Sequence, residues 1–175
     1  MNGRDTERRD ISFAAYVSGS ASSLTRTAFL LTGDFHKAQD LVQNALAKAY
    51  LKWGRIEGVQ HPDAYVRRIL INEHLAQRRL KRPLEVSLDM AGDPGAGQDA
   101  MADADVRSLV RAAINLLPRK QRAAVILRYY EDWTDHEIAT ALSCSENTVR
   151  SQLSRAMSTL RHAACLDELL RTDQS

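Results

Sequence analysis

The 175-residue sequence contains few cysteines and no long apolar run, and both shortages exclude classes of protein. Cys144 and Cys165 are too few for a disulfide-stapled scaffold or a local zinc site, and they are typical of a reducing compartment. The short apolar runs predict no membrane-spanning helix, and the polar start MNGRDTERRD predicts no signal peptide. We therefore expect a cytoplasmic protein that does not insert into a membrane.

Most of the chain is poor in glycine and proline, and these residues are concentrated in one acidic stretch. Residues 83–105 hold two of the four prolines, three of the eight glycines, six carboxylates and no Lys or Arg. Residues 1–82 carry 14 Lys and Arg against 8 Asp and Glu, and residues 107–175 carry 10 against 8. The stretch is predicted to be a flexible acidic linker between two basic blocks. This charge pattern favours a two-part binder of polyanions over an enzyme with one pocket.

No segment shows the period-two alternation of a strand, so we expect an all-α fold. Two small helical domains, 10–82 and 106–162, are predicted on either side of the linker 83–105, with a C-terminal extension at 163–175. In the first domain the pattern predicts a helix over about 11–31 and a second helix capped by Asp34. A third helix is predicted to begin at Pro62 and to run to about residue 82.

The second and third helices carry the most informative patterns of this domain. Apolar residues recur on one side of the second helix at Ala38, Leu41, Val42, Ala45, Leu46, Ala49, Tyr50 and Trp53, which predicts a core-facing stripe. On the third helix a basic side is formed by Arg67, Arg68, Arg78, Arg79 and Arg82, with Asn72 beside them. Ile71 and Leu75 fall within the basic side and Glu73 on the apolar side. Either a kink or a third packing surface would explain these three positions.

Two capped helices joined by a tight turn predict a helix-turn-helix in the second domain. Thr134 and Glu137 form a capping-box pattern, Ser143-Cys144 make the turn, and Ser145 can cap the next helix. One face of that helix is polar and contains no carboxylate; it comprises Asn147, Thr148, Arg150, Ser151, Ser154 and Arg155. These residue types suit the edges of bases in a major groove. A solvated helix face is the alternative that periodicity alone leaves open.

The segments HKAQDLVQNALAKAYLKW and PDAYVRRILINEHLAQRRLKR resemble region two of bacterial sigma factors. The segment LPRKQRAAVILRYYEDWTDHEIATALSCSENTVRSQLSRAMSTLR resembles region four. Two such domains on a short linker look like the extracytoplasmic-function (ECF) group, and the resemblance covers about residues 12–162. It implies a sigma factor that binds core RNA polymerase, recognises promoter DNA and promotes its opening.

The resemblance assigns roles to residues of this sequence. Contact with the β′ clamp coiled coil of the polymerase is implied for Asp40, Leu41, Gln43 and Asn44. Contact with the minus-ten element is implied for Tyr65, Arg67, Arg68, Asn72, Arg78 and Arg79, and Tyr65 stands where the family often has Trp. The helix that begins near Ser145 corresponds to the reader of the minus-thirty-five element, and the Leu117–Arg128 segment to the part that meets the β flap. An anti-sigma partner is implied as well.

No catalytic or metal-binding constellation stands out in the sequence. The five histidines are scattered, and neither a Ser/His/Asp triad nor a P-loop nor a paired-carboxylate pocket is visible. We therefore expect no enzymatic activity, no cofactor and no metal. Two other functions stay open. A free-standing helix-turn-helix regulator would bind duplex DNA without polymerase, and a helical adaptor would bind protein only.

Overall fold

The computed structural model of the chain describes residues 3–76 and 101–172, and all the regular structure in these ranges is helical. The predicted all-α class is therefore confirmed. The chain divides into two compact units, Met1–Pro83 and Leu84–Ser175. The predicted linker lies outside the described residues up to position 100, and its last part, from Met101, already belongs to a helix. Arg78, Arg79 and Arg82 also lie outside the described residues.

Four helices are described in each unit. The first unit contains α1 (Gly3–Thr32), α2 (Phe35–Leu51), α3 (Trp53–Ile56) and α4 (Pro62–Ala76). The second contains α5 (Met101–Leu116), α6 (Arg119–Tyr129), α7 (Asp135–Leu142) and α8 (Glu146–Thr172). Helix α8 runs past residue 162, where the sequence predicts the domain to end.

Helix α1 begins at Gly3 and not near residue 11, so the predicted start was wrong. The polar segment before Ile11 shows no apolar stripe, but the side chains of Arg9 and Asp10 contact Tyr50 of α2. The Arg9 guanidinium lies 4.6 Å from the centre of the Tyr50 ring, and the Tyr50 hydroxyl donates a 2.6 Å hydrogen bond to Asp10. Because these partners are forty or more residues away, local periodicity could not reveal the extra turns.

A glycine and a capping aspartate separate α1 from α2. Gly33 adopts a positive φ of 70°, a conformation that glycine reaches without steric cost, and its N–H bonds to the Phe29 carbonyl at 2.8 Å. Asp34 then caps α2, since its carboxylate accepts a 2.9 Å hydrogen bond from the Lys37 N–H. The predicted cap at Asp34 is confirmed, and α1 ends at Thr32, one residue beyond the predicted end near residue 31.

The core of the first unit lies where α1 and α4 pack against α2. Leu24, Leu41 and Leu70, one from each helix, have no exposed surface, and all five buried residues of α2 belong to the predicted stripe. Ile71 is fully buried as well, and Glu73 pairs with Lys48 of α2. Helix α4 is continuous from Pro62 to Ala76, and the burial of Ile71 and the pairing of Glu73 favour a third packing surface.

The second unit is built around α6, whose residues 123–127 are all buried. Leu117, Val125 and Ala156 form a cluster that Leu153 and Leu160 of α8 complete. Thr134 and Glu137 make the predicted capping box at the start of α7. Ser143 then turns the chain in the left-handed region at φ 51°, and the Ser145 hydroxyl accepts from the Thr148 N–H at 3.2 Å. The predicted helix-turn-helix is therefore present as α7 and α8.

Candidate nucleic-acid interface

The polar face predicted on α8 is at the surface of the second unit. All six of its residues have exposed side chains, while Val149 and Ala156 on the opposite side are buried. We call these six the α8 face: Asn147, Thr148, Arg150, Ser151, Ser154 and Arg155. The face offers two guanidinium groups together with amide and hydroxyl groups, which can bond phosphates and base edges.

Arg150 is exposed, yet its position is defined by three hydrogen bonds. Its Nε donates to Asp135 Oδ2 at 3.0 Å, its Nη1 to Asn147 Oδ1 at 3.2 Å and its Nη2 to Glu146 Oε2 at 3.4 Å. A guanidinium group has five N–H donors, so two remain, one on each terminal nitrogen. The side chain therefore presents a defined end to solvent.

Asp135 and Arg128 support this end of α8, and the sequence did not single them out. The Asp135 carboxylate is 17% exposed and lies between two arginines, with Oδ1 3.2 Å from Arg128 Nη2 and Oδ2 3.0 Å from Arg150 Nε. Arg128 Nη1 also donates to the Trp133 carbonyl at 2.9 Å. The spacing of Asp135 and Arg150 follows no helical period. The one sequence feature that could have pointed to Asp135 is its place in the first turn of α7, a position that favours negative charge.

A second polar face lies on α4 of the first unit. Tyr65, Arg68 and Asn72, three and four residues apart, share one side of the helix, and all three are exposed, Tyr65 by 39%. We call them the α4 face. A ring, a guanidinium group and an amide in one row can stack on a base, hold a phosphate and bond a base edge.

Arg67 points to a different side of α4, where α1 lies. Its side chain is 15% exposed, donates a 2.8 Å hydrogen bond to Ser23 Oγ and lies 3.9 Å from an Asp63 carboxylate oxygen. The structure therefore does not bring Arg67 together with Arg68.

A third surface is formed by Asp40, Gln43 and Asn44, which are exposed on α2. We call them the α2 face. Leu41 lies between them in the sequence but has no exposed surface, because it belongs to the core. Any effect of Leu41 on a partner would therefore act through the placement of α2.

Arg122 on α6 is turned inward and joins α5 to α6. Its Nη2 donates to the carbonyls of Asn115 and Leu117, the second at 3.3 Å, where α5 ends and has carbonyls without helical partners. Burial lowers the pKa of Arg122, and the charge of Arg119 lowers it further. The exposed side chains of this helix include Lys120 and Tyr129, and Tyr130 directly after its end is exposed as well.

Neither a metal cluster nor a membrane-spanning helix is found in the part of the chain that the structure describes. Residues 3–76 and 101–172 contain no group of three or more His, Cys, Asp or Glu side chains placed to hold a metal ion. Within the same ranges, no helix combines the length and the apolar character that crossing a membrane requires.

Comparison with known proteins places both units in one family. The family description "Sigma-70 region 2" matches residues 8–83, and "Sigma-70, region 4" matches residues 107–160. The RNA polymerase sigma-E factor of Streptomyces coelicolor is 36% identical over 151 residues, which are 86% of this chain and 85% of that protein. The ECF RNA polymerase sigma factor SigL of Mycobacterium tuberculosis is 33% identical over 145 residues, covering 81% and 82%.

A solved structure shows the same likeness. The sigma factor RpoE from Bartonella quintana, crystallised with the anti-sigma factor NepR, matches with a TM-score of 0.70 and 25% identity. The match covers 89% of this chain and 98% of that one.

Proposed function

The chain belongs to the RNA polymerase sigma factors of the ECF group, and from this premise we propose how its three polar faces share the work of transcription initiation. As a sigma factor it recognises promoters for the initiation of transcription. Reading the upstream element, holding the opened strand and binding the polymerase are three tasks that need separate surfaces.

The α8 face reads the minus-thirty-five element. The observation that carries this assignment is that all six of its side chains are exposed on the second helix of a capped helix-turn-helix. In such motifs the first residues of the second helix reach base edges in the major groove, and Asn147, Thr148 and Arg150 lie in that first part of α8. Arg155, further along, can neutralise a phosphate.

The α4 face holds the opened strand of the minus-ten element. Tyr65 offers an exposed ring for stacking on an unpaired base, and Arg68 and Asn72 lie on the same side of α4. Arg67, Arg78 and Arg79 stay in the proposed set. Arg67 would act from a largely covered position against α1, and Arg78 and Arg79 lie outside the described residues.

The α2 face binds the β′ clamp coiled coil of core polymerase, and the exposed residues of α6 meet the β flap. Opening a promoter requires the free energy of unstacking and unpairing several bases, which this small chain cannot supply alone. Binding to the polymerase must therefore contribute the energy and the orientation. The chain is thus a binding subunit that catalyses no reaction itself, because each task assigned to its faces is the binding of DNA or polymerase.

We further propose that the protein acts in the cytoplasm, where its polymerase is, and that an anti-sigma factor holds it inactive. The second proposal is supported by the RpoE–NepR complex, in which a chain of similar fold is bound by such a factor.

The assignment of the α8 face can be tested with holoenzyme reconstituted from core polymerase and the full chain. Arg150→Ala and Arg155→Ala should each weaken binding to duplex carrying the upstream element by about 1–3 kcal/mol. Arg26→Ala is the matched control, because it removes one exposed guanidinium group from α1 in the first unit. Unchanged binding in both α8 variants would contradict the assignment.

A further inference from the structure

The Asp135 carboxylate binds the Nε edge of the Arg150 side chain, and its other oxygen lies beside Arg128. Asp135 accepts a hydrogen bond from Arg150 Nε on Oδ2 at 3.0 Å, and its Oδ1 forms an ion pair with Arg128 Nη2 at 3.2 Å without a hydrogen bond. Arg128 is fixed in turn by the Trp133 carbonyl. The orientation of Arg150 is therefore set by α6 and α7, and not by α8 alone.

We propose that Asp135 is a positioning residue that holds Arg150 for the recognition of a guanine in the upstream promoter element. The inference rests on the proposed role of the α8 face. Two donors of Arg150 stay available after its bonds to Asp135, Asn147 and Glu146, one on each terminal nitrogen. One donor on each terminal nitrogen suits the O6 and N7 acceptors of guanine, the base that arginine reads bidentately.

Holding the side chain in advance makes this contact selective. A free arginine can turn toward any phosphate, and it loses much rotamer freedom when it is fixed on a base. The bond to Asp135 restricts that freedom before DNA arrives. The carboxylate also carries a negative charge near the DNA, which opposes binding to phosphates of any sequence. Asp135 thus favours the correct base and lowers the affinity for DNA of any sequence, and both effects increase specificity.

The change in DNA binding when Asp135 is removed distinguishes a positioning role from a purely structural one. If Asp135 only stabilised the fold, its loss would weaken contacts with every base of the element and with random DNA alike. If it positions Arg150, its loss should reduce the preference at one base pair and leave binding to random duplex equal or stronger.

The experiment uses holoenzyme containing the full chain and a duplex DNA library that is randomised upstream of a fixed start site. Bound molecules are sequenced for wild type, Asp135→Asn, Asp135→Ala, Arg150→Ala and the double variant Asp135→Asn/Arg150→Ala. Arg150→Ala should lower the preference for guanine at one position by about 5- to 150-fold. The two Asp135 variants should lower it at the same position by about 3- to 10-fold, and the double variant should lose no more than Arg150→Ala.

The matched control is Asp132→Asn. It removes the same charge from the loop before α7, at a residue that makes no ion pair with Arg150 among the described contacts, and Asn tolerates its positive φ of 56°. The thermal unfolding midpoint of each variant shows that it is folded, and Asp135→Asn, which keeps the shape of the side chain, covers the case in which Asp135→Ala does not fold.

Several results would overturn the inference. These are an unchanged guanine preference in both Asp135 variants, an equal loss at every position of the element, or an Arg150→Ala variant that weakens all sequences uniformly, as a phosphate contact would. A wild-type holoenzyme that selects no upstream sequence would instead refute the proposed function, and the inference with it.

Discussion

The hydrogen bond of the Trp53 indole N–H allows the stability cost of one substitution, Ser12→Ala, to be predicted from single contacts. Trp53 is 3% exposed, and its Nε1 donates a 2.8 Å hydrogen bond to Ser12 Oγ. The Ser12 hydroxyl donates in turn to Glu57 at 2.7 Å, at the start of the loop that leads to α4. The chain of bonds thus ties α1, the buried ring and the approach to the α4 face together.

Replacing Ser12 with alanine leaves a buried N–H without its acceptor. Such a group costs about 1–3 kcal/mol, and the loss of the bond to Glu57 adds little because that side chain is partly solvated. For a unit of residues 1–83, one kcal/mol corresponds to roughly 4–8 °C in the unfolding midpoint. We therefore expect Ser12→Ala to lower the midpoint of the first unit by roughly 4–24 °C.

The assay is thermal unfolding of the full chain followed by tryptophan fluorescence. The sequence has two tryptophans, Trp53 and Trp133, one in each unit. A Trp133→Phe background keeps the backbone bonds of that residue and leaves Trp53 as the reporter of the first unit.

A double-mutant cycle with Trp53→Phe, followed by circular dichroism, isolates the bond. Phenylalanine has no N–H to satisfy, so in that background Ser12→Ala should cost less than about 1 kcal/mol. An equal cost in both backgrounds, or a cost below about 0.5 kcal/mol with Trp53 present, would refute the reasoning.

Three further outcomes are expected. Thr134→Ala removes the cap of α7 and should destabilise the second unit by about 0.5–2 kcal/mol in thermal unfolding, whereas Thr134→Ser should keep the cap. Equal unfolding midpoints for the two variants would contradict this. The hydrogen bond from the Lys37 N–H holds the pKa of Asp34 below its ordinary value, so its stabilisation exists above that value and is lost as the pH falls through the lower folded pKa. Urea midpoints of Asp34→Asn should lack this acid-dependent part. Tyr65→Ala should reduce permanganate reactivity of the opened minus-ten strand in holoenzyme complexes while Tyr65→Phe retains it, and full opening by the alanine variant would exclude stacking by this ring.

Helix boundaries with local signals were predictable from the sequence. Asp34, Thr134 and Ser145 each cap a helix through a backbone N–H three residues further on, so the necessary residues lie within one turn. The apolar stripe of α2 was predictable for the same reason, because its period is a property of the helix itself.

Contacts between helices were not predictable in this way. Arg67 and Arg68 are neighbours in the sequence and both basic, yet one lies against Ser23 of α1 and the other is exposed. The support of Arg150 by Asp135 also depends on how α7 crosses α8, which the turn at Ser143 determines. A helical wheel gives the direction of a side chain but not which side chain of another helix it meets.

The measurement that tests the proposed function most directly is a map of RNA 5′ ends made by core polymerase on genomic DNA, with and without the full chain. We expect a new set of start sites that share upstream and minus-ten sequences, and we expect Arg150→Ala with Arg155→Ala to deplete this set while the chain still binds the polymerase. Start sites that do not change when the chain is added, or a set that the two substitutions leave intact, would contradict the proposed function.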